Sequence, residues 1–367
     1  MKRFFLFILI CLNVSHINLF GQLVVNTTQT PEQLVKNFLI KGELSISNVT
    51  FKGITGTDGQ IGSFTGGNST NLGINQGIVM ASGFVKNVPG AVGTTITDYL
   101  DAEGDADLQA LIGGNTSYQA AVLEFDFMPT ANTVSFRYVF GSEEYPEYVC
   151  SNFNDVFGFF LSGPGISGTF TNNAVNIALI PSTTLPVAIN SVNNGTAGTY
   201  GTAGNCTSLA WSSLYVDNES LNGTTIAFDG FTKVLTATHA VTPCETYHIK
   251  LAVSDISDGL LDSGVFLEAN SFEAGNVVIT PSYLNPTIGG NFAIEGCTQG
   301  KFTFSIASAQ PSPYVINYSI GGTATNGTDY NNISGTITIP TGQTSADLII
   351  TPTLDALNES IETIILN

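Results

Sequence analysis

The feature that most constrains this chain is a two-residue alternation of apolar and polar side chains, written in short runs and interrupted by Gly, Asn and Pro. Ala121–Phe127 reads A-V-L-E-F-D-F, so Leu123, Phe125 and Phe127 face one way and Glu124 and Asp126 the other. Val134–Phe140 (V-S-F-R-Y-V-F) follows after Pro129-Thr130-Ala131-Asn132, a hairpin signature. Runs at Val156–Leu161, Asn176–Ile180, Val187–Val192, Thr232–Thr238, Tyr247–Val253 and Gly264–Ala269 continue the series. This spacing predicts an all-β fold, a β-sandwich or jelly roll. Its composition agrees: 39 Gly, with many Thr, Asn and Ser, suit strands and turns better than helices.

Two short helices interrupt the pattern. Thr30-Pro31-Glu32-Gln33 offers a capping Thr, Pro at the first helical position and Gln at the third, with Leu34, Val35, Phe38 and Leu39 on one face and Gly42 as the stop. The second spans Asp105–Ile112, with Asp105 and Asp107 favouring its positive end. Near Ala274-Gly275 a second, smaller strand series begins, at Val277–Thr280, Phe302–Ile306, Val315–Ile320, Gly335–Ile339, Ala346–Ile350 and Ile361–Leu366. The expected division is a leader over 1–21, a β domain over 22–272, a linker and first strand region over 273–283, and a smaller domain over 284–367. That last domain stops in I-I-L-N, so it is expected to be truncated, with an anchoring module missing beyond it.

Lys2 and Arg3, the apolar stretch Phe4–Val14 and the small residue Gly21 have the layout of a secretory signal peptide. The apolar run falls short of the ~20 residues a membrane span needs, and no later segment reaches that length. The chain is therefore expected to be exported, to the outer cell surface or the medium. It has 10 Lys+Arg against 29 Asp+Glu, and loss of the leader removes two of the bases and no acid. So negative a chain is a poor partner for nucleic acid or anionic lipid and a good one for cations. Cys11 leaves with the leader. Cys150, Cys206, Cys244 and Cys297 remain, and in an exported chain cysteines usually pair. Three connectivities are open; Cys150–Cys206 is favoured because both look like loop positions of one domain, and one disulfide with two free thiols is the alternative.

The acids gather at strand ends. Glu143 and Glu144 follow one strand in G-S-E-E-Y, Asp155 opens the next, and Asp255, Asp258 and Asp262 lie in S-D-I-S-D-G-L-L-D-S-G between two more. Oxygen ligands from loops suit a hard cation such as Ca2+, which takes six to eight of them. Carboxylates gathered without a cation repel; the plain alternative is solvated turn acids. Asp101-x-Glu103-x-Asp105 is not an EF-hand, since position six is Ala106 and position twelve Ile112. It reads as an acid run at a helix start.

No catalytic machinery is expected. The His-Glu-x-x-His, Gly-x-Ser-x-Gly and phosphate-loop motifs are missing. His248, inside the strand T-Y-H-I-K-L-A-V, reads as packed rather than catalytic. Glu143 and Glu144 are adjacent and on extended chain point to opposite sides, so they do not flank one glycosidic bond unless the turn there is sharp. Trp211, the single Trp, makes a thin sugar platform.

Several ordered motifs carry a resemblance: D-A-D-L at Asp105, L-E-F-D-F at Leu123, F-R-Y-V-F-G-S-E-E-Y at Phe136, F-N-D-V-F-G-F-F-L-S-G-P-G at Phe153, D-G-F-T at Asp229, and Y-H-I-K-L-A-V-S-D with D-S-G-V-F-L-E-A up to Ala269. Together, over roughly residues 30–272, they resemble the choice-of-anchor L domain of exported bacterial proteins. The resemblance implies location and architecture and no activity. Gln119 stands where the pattern expects Asp. The C-terminal part is similar to a Calx-beta domain, an immunoglobulin-like calcium-binding sandwich, through Glu295, G-G-T-A-T-N-G-T-D-Y ending at Asp329-Tyr330, and D-A-L-N-E-S-I-E-T. That resemblance implies Glu295, Asp329, Asp355 and Glu359 as calcium ligands, with Glu362 behind them; Leu354 stands where an Asp is frequent.

The sequence thus points to a secreted or cell-surface adhesion or scaffold protein, non-catalytic, with β domains held by structural Ca2+ and an extracellular protein or polysaccharide as partner. Two other readings stand beside it. A carbohydrate-binding or polysaccharide-hydrolysing module requires an aromatic-lined cleft beside Glu143, Glu144 and Asp155. A bare spacer predicts no pocket and no clustered acids.

Overall fold

The computed structural model describes residues 23–40, 44–93, 96–129, 132–272, 277–284, 292–306, 313–354 and 361–366. The expected leader, Gly42, Asp355 and Glu359 lie outside them. The chain is 39% strand and 10% helix, with several sheets and no barrel. Up to residue 272 the strands are β1 (Val24–Asn26), β2 (Ser45–Lys52), β3 (Ile61–Thr65), β4 (Gly77–Ala81), β5 (Ser117–Met128), β6 (Thr133–Ser142), β7 (Val156–Ser162), β8 (Val175–Asn176), β9 (Tyr215–Asp217), β10 (Gly230–Thr232), β11 (Leu235–Ala240), β12 (Tyr247–Ile256) and β13 (Ser263–Glu268). One sheet has the order β1-β3-β4-β13-β6-β10-β9, with β11 also beside β6; the other runs β2-β5-β12-β7-β8.

The alternation read in the sequence builds the main core. Leu123, Phe125 and Phe127 of β5 and Phe157, Phe159 and Leu161 of β7 meet Phe136, Tyr138 and Phe140 of β6 between the two sheets. Phe272 closes one end, its ring 4.3 Å from Phe136 and 5.0 Å from Phe127. A buried aromatic of this size contributes roughly 1.5–3 kcal/mol. Both sheets are also covered outside. Phe64, Val79, Val139 and Phe266 pack under Val85, Val88 and Ile226–Phe228, while Val122, Val156, Phe160 and Ala252 pack under Leu108. The unbroken apolar run of β7 follows, because its residues are buried on both faces.

The two helices form where their caps predict. Thr30 and Gln33 make the reciprocal capping box of α1 (Pro31–Leu34), which continues as a π turn over Val35–Leu39. Asp105 caps α2 (Ala106–Leu111) by accepting from the backbone of Asp107 and Leu108. Both acids then bind Lys250 Nζ, at 2.6 Å and 2.8 Å, and Glu103 pairs with Lys52. This acid run is therefore tied to helix and sheet.

Four expected strands differ, among them Val315–Ile320, which breaks after Asn317 into two strands of different sheets. Val187–Val192 is a turn, because Asn190 and Ser191 turn their side chains onto nearby backbone and compete with a ladder. Asn176 Oδ1 accepts from Phe159 N and Ala178 N, ending β8 after two residues. Thr232–Thr238 splits into β10 and β11, which both pair with β6. His248 is not packed in the core. It lies on the outer face of β12, with Nδ1 2.7 Å from Asp126 and Nε2 3.0 Å from Glu124 on β5. Lys250 is the nearby base and Asp107 the nearby acid.

Cys150 and Cys206 form a disulfide, with Cα atoms 4.4 Å apart. Cys244 and Cys297 are free and exposed. Each sits in its own turn, Cys244 before β12 and Cys297 in the turn over 295–297, which corrects the expectation that all four cysteines pair.

The later strands are β14 (Val278–Tyr283), β15 (Gly300–Ser305), β16 (Tyr314–Asn317), β17 (Ile320–Gly322), β18 (Thr336–Ile339), β19 (Ser345–Ile350) and β20 (Ile364–Leu366). They pair as β14-β15-β19, β16-β18 and β17-β20 around Phe304, Tyr318, Tyr330 and Ile339. No helix among the described residues is long and apolar enough to cross a membrane.

The disulfide closes 56 residues, so Cys206→Ser is expected to remove roughly 4 kcal/mol of unfolding free energy in oxidised protein. Urea titrations of wild type with and without reductant should show the same loss. The His248 bridge sets a pH window. Bonding to Glu124 and Asp126 holds the imidazole above its ordinary value; the same bond holds Glu124 below its own, and Asp126 is held low first by Asn48 and then by His248. A raised His contributes fully below its unfolded pKa and loses its contribution as pH rises through the folded one; lowered acids lose theirs as pH falls. His248→Gln should therefore cost about 0.5–1 kcal/mol near pH 5.5 and little at pH 9. Equal losses at both values would remove the ionic account.

Candidate functional site

Antiparallel register brings one set of strand ends together. Ser142, the last residue of β6, lies opposite Ser263 of β13 and Gly230 of β10, so Glu143, Asp262 and Asp229 emerge side by side. In the second sheet Ser254 of β12 lies opposite Val156 of β7, which sets Asp155 near Asp255. A β-bulge between Val253 and Asp255 re-aims the latter. The two sheets are tied at this end by Ser263 Oγ, which donates to Asp155 Oδ2 at 2.7 Å.

Four sequence-derived candidates are deeply buried: Asp155 at 0%, Asp255 at 0%, Asp262 at 1% and Glu144 at 2% exposure. Glu143 is buried as well, and Asp258 is half-buried at the rim. Loop backbone is organised around them. Ile96 N donates to Glu143 Oε1 at 2.8 Å and Ile256 N to Asp155 Oδ1 at 2.8 Å. Asp98, on the loop before α2, reaches into the same group: its N–H donates to Asp262, and its carboxylate accepts from Phe84 N and Asn87 Nδ2.

Donors run out before oxygens do. Glu143 Oε2, Glu144 Oε2, Asp255 Oδ1 and Asp229 Oδ1 are buried with no hydrogen-bond partner. Ion pairs lie elsewhere, as at Lys250, Lys52 and Arg137. Among the described residues none of Asp98, Glu143, Glu144, Asp155, Asp229, Asp255, Asp258 and Asp262 has one. Burial therefore pushes the Glu143 carboxyl up to about 8, with Asp229 adding repulsion, and Asp262 up to about 9, with Asp98 adding more. Asp229 rises to about 7 through burial and Glu219. Glu144 and Asp255 are held high by burial and then by Asp155, and Asp155 by burial and then by Asp258.

Glu143 and Glu144 sit in a bend that leads into a turn, so the extended chain expected of them ends at Ser142. Glu143 faces Asp98, Asp229 and Asp262, and Glu144 faces Asp155 and Asp258. On the Glu144 side a cleft of about 320 Å3 opens, lined by Thr97, Glu144, Tyr148, Phe153, Asp258, Leu260 and Leu261. Of the three acids beside which the carbohydrate reading requires an aromatic-lined cleft, Glu144 alone lines this one; Glu143 and Asp155 do not.

The acids converge without closing on one centre. Among the described residues no three His, Cys, Asp or Glu side chains stand at metal-holding distance of a common point. The donor set is still the right kind for a hard cation, being oxygen only, with four buried oxygens unpartnered. In the C-terminal unit, Asp329 Oδ2 is engaged by Thr325 N at 2.6 Å, and Glu295 sits in the turn before β15. Glu362 precedes β20.

Asp98 and Asp229 were not singled out from the sequence. Asp229 stands immediately before a strand, the same signal that marks Asp155 and Asp262. Asp98 has no strand beside it. Gln119, the departure from the expected Asp, donates Nε2 to Asp255 Oδ2 at 3.0 Å and to Gly259 O at 2.9 Å. It supplies a donor where another acid would add repulsion.

The family model of the Choice-of-anchor L domain matches residues 23–273. No curated protein matches the chain.

Gly83 permits the closest approach to the site. A Cβ there would lie 1.9 Å from Asp262 Oδ2, whereas one at Gly90 would meet nothing nearer than 3.6 Å. Gly83→Ala is expected to cost about 1–3 kcal/mol in urea titration, and Gly90→Ala close to nothing. Equal midpoints for the two variants would rule out that approach.

Proposed function

The chain belongs to the choice-of-anchor L domain family, which makes it a surface or secreted protein, and from that premise we propose that it is a non-catalytic adhesion or scaffold protein whose N-terminal domain is stiffened by bound calcium. One observation carries this reading: eight acids gather at one end of the sandwich with buried, unpartnered oxygens and no basic side chain among them. Two like charges 4 Å apart repel by about 4 kcal/mol at an effective dielectric constant of 20. Side chains do not offset that here, so protons or a cation must. Calcium accepts irregular sets of six to eight oxygens, including backbone and water, and extracellular modules bind it at millimolar levels. It would supply charge compensation only, locking Glu143, Glu144, Asp155, Asp255 and Asp262 into one block and fixing the loops before α2 and after β6.

The C-terminal unit supports calcium less well, since Asp329 already serves its own turn. The N-terminal domain is proposed as the binding face.

Thermal unfolding in excess chelator and then in millimolar calcium tests this reading. A site filled a hundredfold over its Kd adds about 2.7 kcal/mol, a rise of several degrees. Asp255→Asn separates calcium binding from a general salt effect, because its sign should invert. In chelator the variant is expected to unfold above wild type, having lost an unpartnered buried carboxyl; in calcium it should unfold below. Parallel behaviour of the two proteins, or no calcium-dependent rise, would sink the proposal.

A further inference from the structure

Away from the acidic end, three side chains stand in an arrangement more specific than an ion pair requires. Lys250, on the outer face of β12, has its Nζ 2.6 Å from Asp105 Oδ2 and 2.8 Å from Asp107 Oδ2. The three side chains are 13%, 11% and 6% exposed. Nζ also sits over the Phe160 ring, 5.3 Å from its centroid. Glu124, opposite Lys250 on β5, is bonded by His248 instead.

Asp105 is held like an acyl group awaiting attack. Its Oδ1 accepts from Asp107 N at 3.0 Å and from Leu108 N at 3.1 Å, while Oδ2 faces the amine. Two backbone donors on one oxygen are what an oxyanion needs: charge that develops on Oδ1 finds its partners already in position. Ser117 Oγ fixes the backbone there, accepting from Asp105 N and donating to Asp105 O. Asp107 is fixed on its far side, where Oδ1 accepts from Thr171 N and Thr171 Oγ1, both at 2.9 Å; Oδ2 turns to Nζ. One carboxyl is thus polarised, and the other is a proton acceptor at the same nitrogen. Burial disfavours the Lys250 ammonium and the two carboxylates outweigh it, so the resting form is the ion pair.

We propose that Lys250 and Asp105 join covalently, in an isopeptide bond that braces α2 to β12. Nζ passes a proton to Asp105 Oδ2, leaving a neutral amine and a neutral acid. The amine attacks Cγ, and Oδ1 takes the negative charge between its two backbone donors. Asp107 Oδ2 removes a proton from the nitrogen and returns it to Asp105 Oδ2, which leaves as water. One C–N bond forms, one C–O bond breaks, nothing is oxidised or reduced, and Asp107 ends as it began. Fixed approach of the three groups replaces the activation that amide formation otherwise needs. The product keeps both donors on Oδ1, and its remaining N–H donates to Asp107. It also removes two of three largely buried charges, whose desolvation an ion pair recovers only in part. The bond is independent of the calcium reading.

Intact mass of the purified full chain, read after reduction of the disulfide, tests the proposal. Wild type is expected to be one water lighter than its mature sequence, and a tryptic digest should contain a branched peptide in which Lys250 is joined to Asp105. Lys250→Arg should restore the sequence mass. Asp107→Asn keeps both joined groups and should close about a hundredfold more slowly. Asp105→Asn should close with loss of ammonia instead of water, which identifies the leaving group. A wild-type chain at its full sequence mass overturns the proposal, whatever the variants do. A water loss that survives Lys250→Arg overturns it too, since Asp229-Gly230 and Asp258-Gly259 lose water on closing to succinimides. A branch point at any other acid, or closure of Asp107→Asn at the wild-type rate, overturns the arrangement assigned here.

Discussion

Charge that the chain gathers but does not itself neutralise is the constraint on which this end of the molecule depends. Face-to-face packing of two antiparallel sheets delivers the ends of β6, β7, β10, β12 and β13 to one side, and an acid stands at each. Among the described residues, bases pair with acids elsewhere, Lys250 with Asp105 and Asp107 and Lys52 with Glu103. The loops then form around the carboxylates. Backbone N–H groups of Phe84, Ile96, Asp98 and Ile256 point at acid oxygens. Gly83 is bare because Asp262 occupies the space its side chain would fill, and the bulge in β12 exists where Asp255 turns inward.

The same crowding explains local conformations that no single contact accounts for. Gln119, Cys150, Ser257 and Leu261 all have positive φ, and all border the acid group or its cleft. Side chains bearing a Cβ adopt that region at a cost of order 1–3 kcal/mol, and they hold it where surroundings over-determine them. Asp258 lines the cleft from a segment flanked by two of them, Ser257 and Leu261. The disulfide at Cys150 ties the turn carrying Tyr148 to the segment carrying Tyr200.

Much of this was legible in residue spacing. Alternation at Leu123, Phe125 and Phe127 marked the core face of β5, and the outward Glu124 and Asp126 found Lys250 or His248 as partners. Thr30 and Asp105 announced the helix starts through their capping oxygens. Glu143, Glu144, Asp155, Asp255, Asp258 and Asp262 were visible because an acid at a strand end is a local signal. What the sequence hid was long-range. Nothing near Asp98 shows that its loop folds back over Asp262, 164 residues away. Strand reading failed where polar side chains could outbid the ladder, at Asn176 and Asn190. Pairing by count failed for Cys244 and Cys297, whose turns bring no second thiol.

The position of β13 has a consequence for how the domain comes into being. It is the last strand before residue 272, yet it lies inside the first sheet, hydrogen-bonded to β4 on one side and β6 on the other. Until residues 263–268 are available, that sheet exists as two unjoined pieces. The acids also arrive late, since Asp255 and Asp262 flank the last two strands. Contacts this distant in sequence make for slow closure. In the nascent chain the two pieces of the first sheet therefore join only when this final strand arrives, bringing Asp262 with it.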